Sequence, residues 1–171
     1  MESKQPNPNG KQEAGHEAYQ DGKFLTFSLD DQEYGIGILK VKEIIGMMNI
    51  TTVPQTPAFM KGVINLRGKV IPVVDLRLKF GMEPVEATDR TCIIVVEIQL
   101  DDGQVVIGTV VDSVSEVLAI KADDIQDAPT LANCRTDYIL GMARMEGGVK
   151  LLLDIDRALN AEELGLLEQA A

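Results

Sequence analysis

From Phe24 onward the chain runs as short apolar segments rich in valine and isoleucine, cut repeatedly by glycine, asparagine and aspartate. The clearest instance is CIIVVEIQL (92–100), followed by Asp101-Asp102-Gly103 and then QVVIGTVV. Two apolar runs joined across such a turn form a β-hairpin. FLTFSL (24–29) alternates apolar and polar residues as a half-buried strand does, Asp30-Asp31 turns the chain, and EYGIGILKVKEII (33–45) follows. GVINL and KVIPVV meet at Arg67-Gly68, and SVSEVLAI, YILGMARM and GGVKLLLDI complete the series. Strands of this length with little helix between them predict an all-β barrel or sandwich. Aromatic residues make up only 4% of the 171 residues and tryptophan is absent, so valine, isoleucine and leucine must build the core, and these favour strands.

Three places carry helix signals. In TPAFMKG (56–62), Thr56 suits a cap, Pro57 the first helical position and Gly62 a stop, which predicts a single turn. Asp75 can cap a second short helix, LRLKF, ended by Gly81. Asn160 and Glu163 have the spacing of a capping box, which predicts a terminal helix at about 160–169. Residues 1–20 combine Gln, Asn, Gly, Pro and charge, too polar to order themselves, and are expected to form a flexible tail before a domain spanning 21–171.

The chain repeats itself. YGIGILKVKEII (34–45) aligns without gaps on IGTVVDSVSEVL (107–118), matching Gly35 to Gly108 and Glu43 to Glu116. Residues 62–76 align on 141–155, matching Gly62 to Gly141, Gly68 to Gly147 and Asp75 to Asp154. Two similar β units in tandem are expected, roughly 34–90 and 91–157. The repeat is equally compatible with terminal strands kept within each unit or exchanged between them.

Catalytic chemistry finds few candidates. The single histidine, His16, sits in the polar tail, so a Ser-His-Asp arrangement has no base in the folded part. No CxxC, HExxH, GxxxxGK[ST] or GxGxxG string is present, so neither a metal nor a nucleotide cofactor is expected. Asp101-Asp102 and Asp123-Asp124 read as turn and cap residues, without the spacing of a calcium loop. A net charge of −11 disfavours nucleic acid and anionic membrane surfaces, both of which need clustered Lys and Arg. No apolar run approaches the ~18 residues of a membrane span, and the N-terminal residues lack the apolar segment of a signal peptide. A reducing compartment, with Cys92 and Cys134 as free thiols, is therefore expected, a disulfide between them being the alternative reading.

Two charged residues stand out in apolar surroundings. Asn65-Leu66-Arg67-Gly68 suits a tight turn whose glycine takes positive φ, but the second copy has Glu146 where the first has Arg67, so the turn does not demand arginine. Glu43 lies between Val41 and Ile45 at strand spacing. Either Glu43 and Arg67 pair on a mostly apolar surface, or each is solvated separately. Pro72 has no N–H and reads as an edge-strand or bulge residue, where apolar neighbours such as Val70 would offer a docking edge.

FLTFSLDDQEYGIGILKVKEII, TPAFMKGVINLRGKVIPVVDLRLKFG and VVIGTVVDSVSEVL closely resemble the CheW family of bacterial chemotaxis coupling proteins, in order, from about residue 21 to the end. The resemblance implies two five-stranded barrels packed on a hydrophobic seam, and a non-catalytic adaptor. Its implied partners are the regulatory domain of a CheA-type histidine kinase and the cytoplasmic tips of chemoreceptors (methyl-accepting chemotaxis proteins). Weak self-association in rings, and a cytoplasmic place at receptor arrays, are implied as well. A scaffold in another chemosensory pathway, such as surface motility, would carry the same residues; an OB-like ligand-binding barrel is the rival from another class. By matching motif, the resemblance makes Glu43, Gly62, Arg67 and Gly68 partner-contact or contact-supporting positions. It makes Val41, Val110 and Val111 the lining of a groove between the barrels.

Overall fold

The computed structural model describes residues 22–100, 103–128 and 138–159. The tail, His16, Cys134, the Asp101-Asp102 pair and the 160–169 helix lie outside the described residues. Among the described residues, eleven strands form two sheets. The five-stranded sheet has the order β3-β6-β7-β5-β4, from β3 (Val41–Gly46), β4 (Met60–Leu66), β5 (Lys69–Asp75), β6 (Cys92–Leu100) and β7 (Gly103–Val111). The six-stranded sheet has the order β8-β1-β2-β11-β10-β9. It contains β1 (Gly22–Leu29), β2 (Gln32–Gly37), β8 (Ser113–Ile120), β9 (Ile125–Gln126), β10 (Ile139–Met145) and β11 (Gly148–Leu153). Two helices of one turn each, α1 (Leu76–Lys79) and α2 (Ile155–Ala158), follow β5 and β11.

The internal repeat is visible strand by strand. Gly35 of β2 lies between Thr26 of β1, antiparallel, and Leu152 of β11, parallel. Gly108 of β7 lies between Val95 of β6, antiparallel, and Val73 of β5, parallel. The sheets do not follow a division near residue 90, however. After β2 the chain crosses to the other sheet and contributes β3, and after β7 it crosses back and contributes β8. The repeat units 34–90 and 91–157 therefore exchange strands, the arrangement that the repeat left open: β6 and β7 pair with β3–β5, and β1 and β2 with β8–β11.

These crossings explain why β6 and β7 are apolar on both faces. Ile93 and Val95 pack with Ile64, Ile71, Val73 and Val110 in a core made only by the five-stranded sheet. Ile94, Val96, Ile98, Ile107 and Val111 face the other way, into a larger core shared with Leu25, Phe27, Leu29, Ile36 and Leu153 of the six-stranded sheet. Phe24, Ile120, Ala143 and Leu152 form the third cluster, inside the six-stranded sheet. At about 1.5–3 kcal/mol for each fully buried aliphatic side chain, the shared core binds the two sheets into one body. Four of the aromatics gather at this junction. Phe27, Tyr34, Phe80 and Tyr138 stack in series, with centroids 5.7, 6.1 and 5.3 Å apart.

Asp75 caps α1 through its carboxylate, which accepts from the Arg77 and Leu78 N–H groups, and Asp154 caps α2 from the Arg157 N–H. The turn expected at 56–62 is not a helix. Met60 N donates to Pro57 O, but β4 begins at Met60 and the Phe59 carbonyl accepts from Asp75 N, so sheet pairing claims the backbone that a helix needs. EYGIGILKVKEII is likewise not one strand: a 3₁₀ turn at Ile38–Lys40 divides β2 from β3 where the chain changes sheets. Pro72 is not on an edge strand. β5 pairs with β4 throughout, but its parallel ladder with β7 starts at Val73, so the missing N–H at Pro72 faces a gap in the pairing.

Candidate partner-binding surface

The β4–β5 hairpin closes with Leu66 opposite Lys69, leaving Arg67 and Gly68 as a two-residue turn. Both take positive φ, +52° and +89°, and Asn65 Oδ1 accepts from Gly68 N at 2.8 Å. Turns of this type favour Asn-Gly, because a left-handed conformation costs most L residues about 1–2 kcal/mol. Arginine there is disfavoured by the backbone, and in the second hairpin Glu146 takes no positive φ. Something other than turn chemistry holds Arg67 in place.

That something includes Glu43. The Arg67 guanidinium Nη2 donates to Glu43 Oε2. β3 and β4 are the two edge strands of the five-stranded sheet, so the pair ties one edge to the hairpin that leads from the other. Arg67 keeps 68% of its side chain exposed and Glu43 32%, which leaves the guanidinium available to a second protein. The same segments carry exposed apolar side chains, Ile44 and Val70, and Met47 and Met48 follow directly after β3.

The remaining residues expected at the site divide clearly. Val41, Glu43 and Ile45 do not share one face: the β3–β6 register shifts between Val41 and Glu43. Val41 is half-buried against the shared core, whereas Ile45 packs on the core of the five-stranded sheet. A bulge reverses the side-chain alternation that plain strand spacing implies. Gly68 serves the turn. Gly62 is buried, at a close backbone approach to Thr51. Val110 and Val111 do not line an open groove. Val110 is 7% exposed, inside the five-stranded sheet, and Val111 is 1% exposed, in the shared core, because β7 is a central strand with a core on either side.

The apolar recess lies elsewhere. The 3₁₀ turn at 38–40 throws Leu39 out to 97% exposure beside a cavity of about 460 Å³ whose lining includes Phe24, Ile38, Leu140 and Ile155. Strand alternation concealed Leu39; the Gly35-x-Gly37 pair just before it was the only sign of a break.

Two polar clusters were not legible in the sequence. The Arg77 side chain, 6% exposed, donates through Nη1 to Asp112 Oδ2 at 2.7 Å and lies 2.6 Å from Asp30 Oδ1, while its Nε donates to Glu83 O. Burial works against its charge, but the hydrogen bonds and charges of Asp30 and Asp112 prevail and raise its pKa. Glu33 accepts from Lys150 Nζ, Ser28 Oγ and Ser115 Oγ. Partial burial pushes its pKa up, and the hydrogen bonds from Lys150, Ser115 and Ser28 with the Lys150 charge outweigh this, so the net shift is downward. A depressed carboxylate contributes stability that is present above its unfolded pKa and lost as pH falls through the folded value. Glu33→Gln should accordingly flatten the acid limb of a urea-stability curve measured against pH and leave its neutral-to-alkaline shape unchanged.

Among the described residues there is no helix long and apolar enough to cross a membrane, and no cluster of metal-ligating side chains.

Residues 23–163 match the family model of the CheW-like domain. The chain belongs to the CheW family. It is 43% identical to the chemotaxis protein CheW of Klebsiella aerogenes, over 87% of this chain and 88% of that protein. Its identity to CheW of Rhizobium meliloti is 36%, over 82% and 89%. Among solved structures, the scaffolding protein TtCheW from Thermoanaerobacter tengcongensis superposes with a TM-score of 0.74 at 32% identity, covering 84% of this chain and 96% of that one. Family membership and the two-sheet, β-rich architecture therefore agree with the expectation drawn from the resemblance of residues 24–45, 56–81 and 105–118.

Proposed function

We propose that this chain is a non-catalytic adaptor that couples the cytoplasmic tips of chemoreceptors to a CheA-type histidine kinase in a bacterial chemotaxis array, in the cytoplasm beneath the membrane. Membership of a family whose relatives are named as chemotaxis and scaffolding proteins supports the setting. The observation that carries the reading is the exposed Glu43–Arg67 pair at the rim of the five-stranded sheet. It is a charged anchor held in a left-handed backbone conformation that arginine itself does not favour, flanked by exposed Ile44 and Val70. Strain of this kind persists where the surroundings impose it, and functional surfaces are where it gathers.

An adaptor needs two faces. The Arg67 rim is one, and the recess beside Leu39, at the crossover from β2 to β3, is the other. A receptor tip, as a helical hairpin, would lay an apolar stripe along an aliphatic surface; the kinase domain, related in fold, would dock sheet against sheet. Such contacts bury roughly 1,200–2,000 Å² in total. Weak self-association into rings would use the same faces.

The test is reconstitution with purified kinase regulatory domain and a receptor cytoplasmic fragment. Wild type is expected to bind both. Arg67→Ala should unfold at the same temperature as wild type and lose about 2 kcal/mol of binding to at least one partner, or roughly 30-fold in Kd. Unchanged affinity for both partners would remove Arg67 from the interface.

A further inference from the structure

The internal repeat places Arg77 and Asp156 at the same point of their units: each is the second residue of the short helix that follows a hairpin. Each reaches out of the sheet that its helix follows. Arg77, on α1 behind the five-stranded sheet, reaches Asp30 in the β1–β2 turn of the six-stranded sheet and Asp112 at the crossover from β7 to β8. Asp156, on α2 behind the six-stranded sheet, accepts from Gln99 N of β6 in the five-stranded sheet and from Lys40 Nζ at the crossover from β2 to β3. One device thus appears twice, with its charges inverted: a cation pinned by carboxylates in one copy, a carboxylate pinned by an ammonium and an N–H in the other.

We propose that these two clamps set the relative orientation of the two sheets, and that Arg77 and Asp156 are positioning residues for the simultaneous binding of two partners. Three considerations carry this. The shared apolar core supplies attraction between the sheets but little direction, since hydrophobic burial is non-directional. A guanidinium with carboxylates and a carbonyl at fixed places around it specifies angle as well as distance. A largely buried ion pair adds little stability over a well-packed apolar substitute, so its distinctive contribution here is specificity of arrangement. The clamps also sit where the chain passes between sheets, so each governs a crossover directly. Arg77 is the more deeply buried and so the stiffer; Lys40–Asp156 is partly exposed and borders the recess at Leu39. An adaptor whose two faces lie on different parts of the two-sheet body must hold them at one angle to engage both partners together.

This inference rests on the adaptor reading, and the experiment separates the two. Spin labels are placed on exposed Lys61 of β4 and Arg144 of β10, as Lys61→Cys and Arg144→Cys in a full-length chain with Cys92→Ser and Cys134→Ser, and the inter-label distance distribution is measured by pulsed EPR. Arg77→Met is expected to unfold cooperatively and show a broadened or displaced distribution. Its affinity for kinase regulatory domain or receptor fragment alone should stay near the parent's. Binding of the second partner to the preformed binary complex should weaken by about tenfold, the size of an ordinary coupling between sites. Should Arg77→Met fail to fold, Asp112→Asn, which removes one carboxylate and keeps the cation, gives the same readout. A distance distribution identical to the parent's in the folded variant overturns the clamp, whatever the binding shows. A parent chain that binds neither partner overturns the adaptor reading and leaves the EPR result to judge the clamp alone.

Discussion

Gly62→Ala should lower the thermal midpoint by roughly 6–12 °C, corresponding to about 3 kcal/mol at 2–4 °C per kcal/mol for a chain of this size. Two effects add at this one position. Gly62 sits at φ +144°, where L side chains are rarely found, and holding a side chain in such a region costs on the order of 1–3 kcal/mol. A Cβ there would lie 2.0 Å from the Thr51 carbonyl oxygen and 2.9 Å from Ile50 Cγ2. Thr51 cannot withdraw cheaply, because Thr51 and Val63 exchange both of their backbone hydrogen bonds, each at 2.9 Å. Gly68→Ala is the control. Its φ of +89° is also unfavourable for alanine, but nothing lies within 4 Å of the added carbon, so only the backbone cost applies. Differential scanning calorimetry of the two variants should therefore rank Gly62→Ala well below Gly68→Ala. Equal midpoints would mean that the 50–51 segment moves aside freely and that Gly62 has no special packing role.

Charge reversal at Glu43 should produce the largest change in binding. Glu43→Lys sets an ammonium against the Arg67 guanidinium and reverses the sign of the rim, so the loss should equal or exceed the roughly 30-fold expected for Arg67→Ala. Stability should hardly change, because exposed ion pairs contribute about 0–1 kcal/mol. The combination of Glu43→Lys with Arg67→Glu separates two roles. The exchanged pair can again tie β3 to the β4–β5 hairpin, so any part of the binding loss caused by loosening the sheet edges should return. The part that depends on a guanidinium meeting the partner should not. Partial recovery in isothermal titration is the expected result. Four proteins of equal affinity would show the pair to be a surface decoration.

Both experiments concern residues that the chain advertises to different degrees. Gly62 reads in sequence as a helix stop, yet it supports a strand, because its surroundings are decided by residues 50–51 arriving from another part of the chain. Glu43 and Arg67 stand out as charges in apolar strands; Glu43 is matched by Glu116 in the second copy, whereas Arg67 is replaced there by Glu146, and that one difference separates what the turn requires from what the first unit adds. Arg77 was invisible for the opposite reason. A basic residue near the end of a one-turn helix is ordinary, and only the folding of Asp30 and Asp112 around it makes it a buried centre.

Local chemistry alone determined the strands, the hairpin turns, the Asp75 and Asp154 caps and the tandem repeat, because β-branched alternation, left-handed glycines and side-chain capping act over a few residues. The stretches at 24–45, 56–81 and 105–118 carried the family for the same reason: each is contiguous. Tertiary structure alone decided which strand joins which sheet, since β3 and β8 could pair at home or across with the same alternation. It also decided that Val110 and Val111 are enclosed, that Leu39 is expelled, and that Arg77 faces two carboxylates. Each depends on a second surface brought from far along the chain, and burial and charge pairing become fixed only when that surface arrives.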